Sequence, residues 1–304
     1  MTKEFLSICI PTYNRPHLLR DLLNSIASEI TAGGFTPDDV KVYLSDNAST
    51  DNTRAVIHEI LGSFPHLVYT PNPTNIGGDR NILACYHKSH GHYRWIIGDD
   101  EILPAGALAH IIHVLRTEHP AWFINNGGEP RSNKAFNPPR TFSSAKEFMH
   151  ITAQVFPESL MQAGFISGNI FREDCFDLHF GLQAVEESNY SQFFALLRGL
   201  SRQGGTVYFT SQQTLIVRPE RPAPAGRLPF DSDINWQKCM TWVRTEFDLP
   251  DLDVNLHSKL VSRGIFKELI RHPFHTFSQH RAFFLIPGAY PRMLKRLYWL
   301  FRSS

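Results

Sequence analysis

The sequence predicts an α/β domain on a mainly parallel sheet flanked by helices, because four apolar runs of strand length alternate with helical stripes before residue 100. A second observation is that each run ends in a polar loop, which gathers the loops at one edge of such a sheet. The third is the triplet Asp99-Asp100-Glu101, which follows the apolar run Tyr93 to Ile97 and a single glycine.

In order, Phe5 to Ile10 is the first strand and runs into Pro11-Thr12-Tyr13-Asn14-Arg15-Pro16. Leu18, Leu19, Leu22, Leu23 and Ile26 then form a helical stripe, with Pro16 placed to start it. Val40 to Leu44 is the second strand. Its loop, Ser45-Asp46-Asn47-Ala48-Ser49-Thr50-Asp51, offers caps to a helix carrying Val56, Ile57 and Ile60. Leu67 to Tyr69 leads through Asn72, Asn75, Gly77 and Gly78 to a segment ending near His87, and the acidic strand follows. Clustered carboxylates delivered by an apolar strand suit a hard cation such as Mg2+ or Mn2+, which in turn holds diphosphates. A solvated turn is the other reading of the triplet taken alone. Further on, Gly164 to Phe171 reads as a strand and loop. Glu186-Glu187 precedes a stripe of Tyr190, Phe193, Phe194, Leu197 and Leu200, and Thr206 to Thr210 is a last strand.

Four of these segments, Ser7 to Arg15, Ser45 to Asp51, Asn75-Ile76-Gly77-Gly78 and Gly98-Asp99-Asp100-Glu101, resemble in order and spacing the motifs of family-two glycosyltransferases of the GT-A fold. The resemblance covers roughly residues 5 to 220. Trp95 to Leu103 is similar to the corresponding segment of abequosyltransferase-like enzymes of bacterial O-antigen synthesis. What this implies is a catalytic domain at 1–217, with a nucleotide-binding half at 1–115 and an acceptor half at 116–217. It also implies a nucleotide-sugar donor and a divalent cation. Pro11, Thr12 and Tyr13 become contacts to base and ribose, and Arg15 lies near the phosphates. Asp46 accepts from the base. Asn75, Gly78 and Arg80 belong to the loop over the nucleotide, although the glycines also serve as plain turn formers. Asp51 reads as a helix-start residue.

The acidic step departs from the usual Asp-x-Asp, since Gly98 stands where the first aspartate is expected. Asp100 is then the leading metal ligand, with Asp99 and Glu101 competing to supply a second oxygen or to bind the donor sugar. The resemblance assigns the general base to Glu187 with Glu186 beside it; two acids at a helix start are the structural alternative. Asp174 and Asp177 are weaker candidates.

Composition fits one large domain with an appendage: 304 residues, 42% hydrophobic and 19% charged. A formal net charge of +1 argues against a nucleic-acid partner. Cys9, Cys85, Cys175 and Cys239 are scattered, which points away from a disulfide framework or zinc site and toward a reducing cytoplasm. No signal core or bilayer-length apolar run is evident. His87, His90 and His92, and likewise His110 and His113, are read as surface residues rather than a metal cluster.

A Pro-rich linker is expected at 218–230, followed by a helical region at 231–304 carrying Trp236, Trp242, Phe247, Ile265, Phe266, Leu269 and Ile270. Within it, Tyr290 to Arg302 places Arg292, Lys295, Arg296 and Arg302 opposite Met293, Leu294, Leu297, Leu300 and Phe301. That pattern suits a basic amphipathic helix lying on an anionic membrane surface, or a terminal helix docked on its own protein. Peripheral attachment on the cytoplasmic side would suit a lipid-linked saccharide acceptor. The expected activity is therefore an inverting sugar transfer. An inactive scaffold of the same fold is one alternative. A nucleotidyltransferase is another, but it needs a glycine-rich loop after the first strand, and Pro11 to Pro16 holds no glycine.

Overall fold

The structure, a computed structural model, describes residues 3–126, 139–155, 163–185, 190–218 and 229–254. It divides into two compact units, Met1–Glu220 and Arg221–Ser304.

The first unit opens with the expected alternation: β1 (Leu6–Thr12), α1 (Pro16–Gly33), β2 (Val40–Asp46), α2 (Thr53–Leu61), β3 (Leu67–Pro71), α3 (Gly78–Lys88) and β4 (Tyr93–Ile96). The first three strands each run two residues beyond their apolar stretch. Polar ends extend the ladder because neighbours do so together, with Pro11 paired to Ser45 and Thr12 to Asp46. Thus the residues that matter at the edge are held by strand pairing, not by loops. Pro16 occupies the first turn of α1, and Gly34 closes it in the left-handed conformation at φ 62°.

The chain continues through β5 (Glu101–Ile102), α4 (Ala107–Thr117), β6 (Trp122–Asn126), β7 (Arg140–Phe142), α5 (Ala145–Val155), β8 (Asn169–Arg172), α6 (Leu178–Ala184), α7 (Ser191–Gln203), β9 (Val207–Gln213) and β10 (Ile216–Val217). The main sheet has the order β3-β2-β1-β4-β8-β6-β9-β7. It is parallel without interruption from β3 to β4. β8 runs antiparallel to both β4 and β6, while β6 and β9 are parallel and β7 is an antiparallel edge. Four of its seven pairings are parallel, so the sheet is mainly parallel as expected, and mixed because β8 and β7 run against their neighbours. The reason is local: β8 follows a 3-10 turn at Ile166–Gly168, on the edge where β4 leaves, so it must run back.

Alternate residues of β1, β2 and β4 face opposite layers. Leu6, Ile8, Ile10, Val42, Leu44 and Trp95 pack with the apolar stripes of α1 and α4 in one buried cluster. On the opposite face α3 covers β1 and β2, and α6 and α7 pack beside it. In the second unit, α8 (Pro229–Glu246) buries Trp236, Cys239, Met240 and Val243, a stripe of helical spacing. Residues 186–189, 219–228 and 255–304 lie outside the described residues, and with them Glu186, Glu187, most of the expected linker and the basic helix at 290–302. Among the described residues no helix is long and apolar enough to cross a membrane.

At the far edge, the Glu4 carboxylate is 2% exposed and accepts from the Ser7 hydroxyl at 2.6 Å, the Tyr43 hydroxyl at 2.8 Å and the His90 amide at 3.3 Å. Burial pushes its pKa up, but these hydrogen bonds outweigh it and the net direction is down. A depressed carboxylate adds stability that is present above its unfolded pKa and lost as pH falls through the folded one. Glu4→Gln is therefore expected to cost about 1 kcal/mol at neutral pH. The deficit should vanish at acid pH, which urea melts at a series of pH values would show.

Candidate functional site

The carboxyl ends of β1, β2 and β4 meet at one edge, and the acidic triplet lies there. Asp99 and Asp100 are each 5% exposed. Two carboxylates so close and so buried stay charged only beside a cation. That cation is Arg15, whose Nη1 donates to Asp99 Oδ1 at 3.0 Å and to Asp100 Oδ2 at 3.1 Å. Asp99 Oδ2 also accepts from the Thr12 hydroxyl at 2.7 Å. Burial still lifts the Asp99 pKa above its ordinary value, against the pull of Arg15 and Thr12. For Arg15 the balance goes the other way: burial lowers its pKa, but the charges of Asp99 and Asp100 raise it overall.

A second arginine fixes the triplet from behind. β10 pairs antiparallel with β5, Val217 opposite Glu101, and so delivers Arg218 to the acidic loop. Its Nε donates to the Asp100 carbonyl at 2.8 Å, its Nη1 to Asp21 Oδ2 at 2.7 Å and its Nη2 to the Leu18 carbonyl at 2.9 Å. Glu101 stands apart from the aspartate pair. It is wholly buried and accepts from the Ser167 hydroxyl at 3.4 Å, and that hydroxyl also accepts from the Gly98 amide at 2.9 Å. A Cβ on Gly98 would lie 2.9 Å from Asp100 Oδ1 and 3.5 Å from Ser167 Oγ, so the backbone there runs directly beneath the carboxylates. Ser167 is held in turn, its carbonyl accepting from the Trp95 indole at 2.9 Å and from the Asn125 amide group at 3.2 Å.

Two loops make the rim. Asn14 and Ala48 adopt positive φ, 54° and 60°, a conformation that non-glycine residues hold only when neighbours enforce it. The enforcement is mutual: the Asn14 amide donates to Ser49 Oγ at 3.0 Å, and the Thr50 amide donates to Asn14 Oδ1 at 2.8 Å. Tyr13, 41% exposed, projects from this rim. Asp46 sits below it with no exposed surface, Oδ1 accepting from the Ser49 amide at 2.9 Å and Oδ2 from the Tyr69 hydroxyl at 3.1 Å. Asp51 accepts from the Thr53 amide at 2.9 Å at the start of α2, the helix-start role expected of it.

The turn into α3 hangs on asparagines. Asn47 donates to Asn75 Oδ1 at 2.9 Å and accepts from the Ile76 amide at 2.9 Å, while Gly77 turns the chain at φ 87°. Asn81, buried one turn into α3, accepts from Ser45 Oγ and from Asn72 Nδ2, each at 2.8 Å. This places Asn75, Gly78 and Arg80 together on the exposed side of the same edge.

Sequence reasoning missed Arg218, Ser167 and Asn81. Arg218 was read as linker, and no local pattern ties it to a carbonyl 118 positions away. Ser167 lay in a segment read only as strand and loop. Asp174 and Asp177 have structural employment, Asp174 pairing with Arg172 and Asp177 both capping α6 and pairing with Arg202. His87, His90, His92 and His113 are exposed, and His110 meets Thr210 Oγ1 at 2.9 Å. Whether the edge suits a divalent ion turns on its donors. Two aspartate oxygens converge on a single cationic nitrogen, the convergence such an ion needs, and Arg15 stands in for it. Among the described residues no third ligating side chain joins them. Water and a diphosphate would have to complete the shell, as hard cations accept.

Comparison with known proteins gives the edge its context. The chain is 42% identical over 106 residues to the abequosyltransferase RfbV of Salmonella typhimurium, a stretch covering 34% of this chain and 30% of that protein. It is 48% identical over 52 residues to the validoxylamine A glucosyltransferase of Streptomyces hygroscopicus subsp. limoneus, 17% of this chain and 11% of that one. The matches thus span less than a third of either relative. Among solved structures, S. aureus TarS 1–349 superposes with a TM-score of 0.56 over 90% of this chain and 74% of that chain, at 16% identity. Its complex with UDP-GlcNAc gives 0.57 at 15% identity, over 90% and 75%. At such identities the likeness establishes the fold, the GT-A arrangement of a mixed sheet with flanking helices. The profile of Glycosyl transferase family 2 matches residues 7–173, more than half of the sequence and all of the edge described above except Arg218, and the chain belongs to that family.

Proposed function

We propose that the chain is an inverting glycosyltransferase that moves a sugar from a nucleotide donor to a saccharide acceptor in bacterial surface polysaccharide synthesis, with a lipid-linked acceptor. The observation that carries this reading is the pair of buried aspartates converging on one cation beside the Thr12–Tyr13 rim. Such an edge suits the diphosphate of a nucleotide bound through a divalent cation. The match to an abequosyltransferase supports the O-antigen setting. The catalytic domain is assigned to 1–217 together with Arg218, which the acidic edge claims from the expected linker at 218–230, and the helical region expected at 231–304 begins two residues earlier, with α8 at Pro229. Peripheral attachment to an anionic membrane on the cytoplasmic side is assigned to the basic helix at 290–302.

In this reading Pro11, Thr12 and Tyr13 line the base and ribose, Tyr13 by its exposed ring. Asp46, expected to accept from the base itself, is wholly buried with each oxygen accepting from the protein, so it contributes from beneath by holding the Ser49 turn and the Tyr69 hydroxyl beside the base. Asn75, Gly78 and Arg80 face the donor from the start of α3. Asp100 would hold the divalent ion, and Asp99 rather than the expected Glu101 would supply the second oxygen, because Glu101 is turned onto the Ser167 hydroxyl that also holds the Gly98 amide. When bound, the ion offsets negative charge that builds on the leaving diphosphate. Glu187, with Glu186 beside it, removes the proton from the attacking hydroxyl on the side opposite the diphosphate.

Thermal shift with UDP, GDP, CDP and dTDP sugars, with and without Mn2+, followed by the anomeric configuration of the product, tests the reading. Stabilisation by none of them sinks it. Asp100→Ala is expected to abolish transfer and to remove the Mn2+-dependent part of nucleotide binding. Binding that ignores both EDTA and this substitution would overturn the metal assignment. Glu187→Gln should leave donor affinity intact and slow turnover roughly 10²- to 10⁴-fold, the effect of losing a general base. If Glu186→Gln is the inactive variant instead, the base is its neighbour. Gly98→Ala should fold normally, because the atom its Cβ meets is the movable end of Asp100. The displaced carboxylate should nonetheless cost at least about tenfold in kcat/KM, the scale of a misplaced reacting group. Unchanged kinetics would show that the tight approach is incidental.

A further inference from the structure

We propose that Arg15 is an exchangeable counter-cation: it partly offsets the charge of Asp99 and Asp100 while no ion is bound, yields that place to a divalent cation, and turns to the anion arriving with it. The proposal rests on the reading above only in naming that anion a nucleoside diphosphate.

Four observations carry it. Arg15 Nη1 occupies the point where Asp99 Oδ1 and Asp100 Oδ2 converge, at 3.0 and 3.1 Å. A dication bound by the same two oxygens and the guanidinium cannot share that point, since the two cations would repel at contact distance. Next, the acids are anchored and the arginine is not. Asp99 is tied by Thr12 at 2.7 Å and the Asp100 main chain by Arg218 at 2.8 Å. By contrast the Arg15 side chain is 35% exposed. Its backbone amide is pinned to Thr53 Oγ1 at 3.1 Å, just before the Pro16 start of α1, so the long side chain can swing from a fixed root. Third, Asp99 and Asp100 are too buried to be left without a cation, so Arg15 departs by exchange rather than by simple opening. Last, the protein offers few ligands of its own, with no group of three among the described residues. A weak ion site is one in which an internal competitor matters.

The consequence is coupling between ion and anion. An ion entering alone must displace Arg15 into water. An ion entering with a diphosphate displaces it onto phosphate oxygens, for which a guanidinium is well shaped. Each ligand therefore tightens the other, and by linkage the factor is the same in both directions.

The test is a titration of the full-length, nucleotide-free protein with Mn2+, following free Mn2+ by electron paramagnetic resonance. Arg15→Gln is expected to bind Mn2+ about tenfold more tightly than the wild type, because the competitor is gone. Asp100→Asn should abolish binding in either background. Added UDP, GDP, CDP or dTDP, whichever binds, should tighten Mn2+ less in Arg15→Gln than in the wild type. Equal or weaker Mn2+ affinity in Arg15→Gln, or no Mn2+ binding by either protein, overturns the proposal. Should Arg15→Gln fail to fold, Arg15→Lys decides the matter. The lysine chain is shorter than arginine's and its ammonium is more strongly hydrated, so it holds the point between the two carboxylates less closely; tighter Mn2+ binding than wild type is expected and equal affinity overturns the proposal. Sugar-nucleotide turnover by the wild type is measured alongside. Exchange without turnover would leave Arg15 acting toward another anion, whereas turnover with Mn2+-indifferent variants would end the exchange proposal alone.

Discussion

The constraint on which the rest depends is the burial of two adjacent carboxylates at the end of an apolar strand. β4 is wholly buried, and whatever follows it is drawn into the same interior. Asp99 and Asp100 would be intolerable there without a cation, a hydroxyl donor and a fixed main chain. Arg15, Thr12 and Arg218 supply these from three separate parts of the sequence. Two of the three, Thr12 and Arg218, depend on strand pairing. Thr12 is in place because β1 continues two residues past its apolar stretch, and Arg218 because β10 lies against β5.

The rim obeys the same logic at lower cost. Asn14 and Ala48 hold positive φ because each loop supplies the hydrogen bonds that keep the other bent. Neither loop would keep its shape alone, so the edge is a joint product of the first two βα units. The asparagine network extends this to the third, with Asn47 tying the Asn75 turn and Asn81 tying α3 to β2. A substitution in any one of these three loops is thereby felt at the other two.

The legible part of the sequence was the part that is local. Strand, polar loop and helix recur in the first hundred residues with periods that read directly, and Asp51 at its helix start and the exposed histidines near residue 90 read correctly for the same reason. What could not be read was partnership across distance. Arg218 looked like the first residue of a linker because its role comes from a carbonyl on a strand that β10 alone brings near. β8 looked like any short strand, and only its position after a 3-10 turn makes it antiparallel and carries Ser167 under Gly98. β6 and β7 escaped notice because fully buried or very short elements show little periodicity, whereas α5 buries Ala145, Phe148, Met149 and Thr152 at a helical spacing that was there to be read.

Gly98 shows how these strands of reasoning meet. From sequence it is a missing acid, a departure from the expected pattern. In the structure it is a close approach, since any side chain would press on Asp100 Oδ1 at 2.9 Å while just touching Ser167 Oγ at 3.5 Å. A carboxylate at that position would add a third negative charge to a pocket whose two aspartates share one guanidinium. It would also displace Ser167, which holds both the Gly98 amide and the Glu101 carboxylate. The glycine and Arg15 are therefore parts of one solution. With two aspartates instead of three, the one guanidinium leaves a single uncompensated negative charge rather than two, and in the exchange proposed above Arg15 is the group that moves to admit an ion.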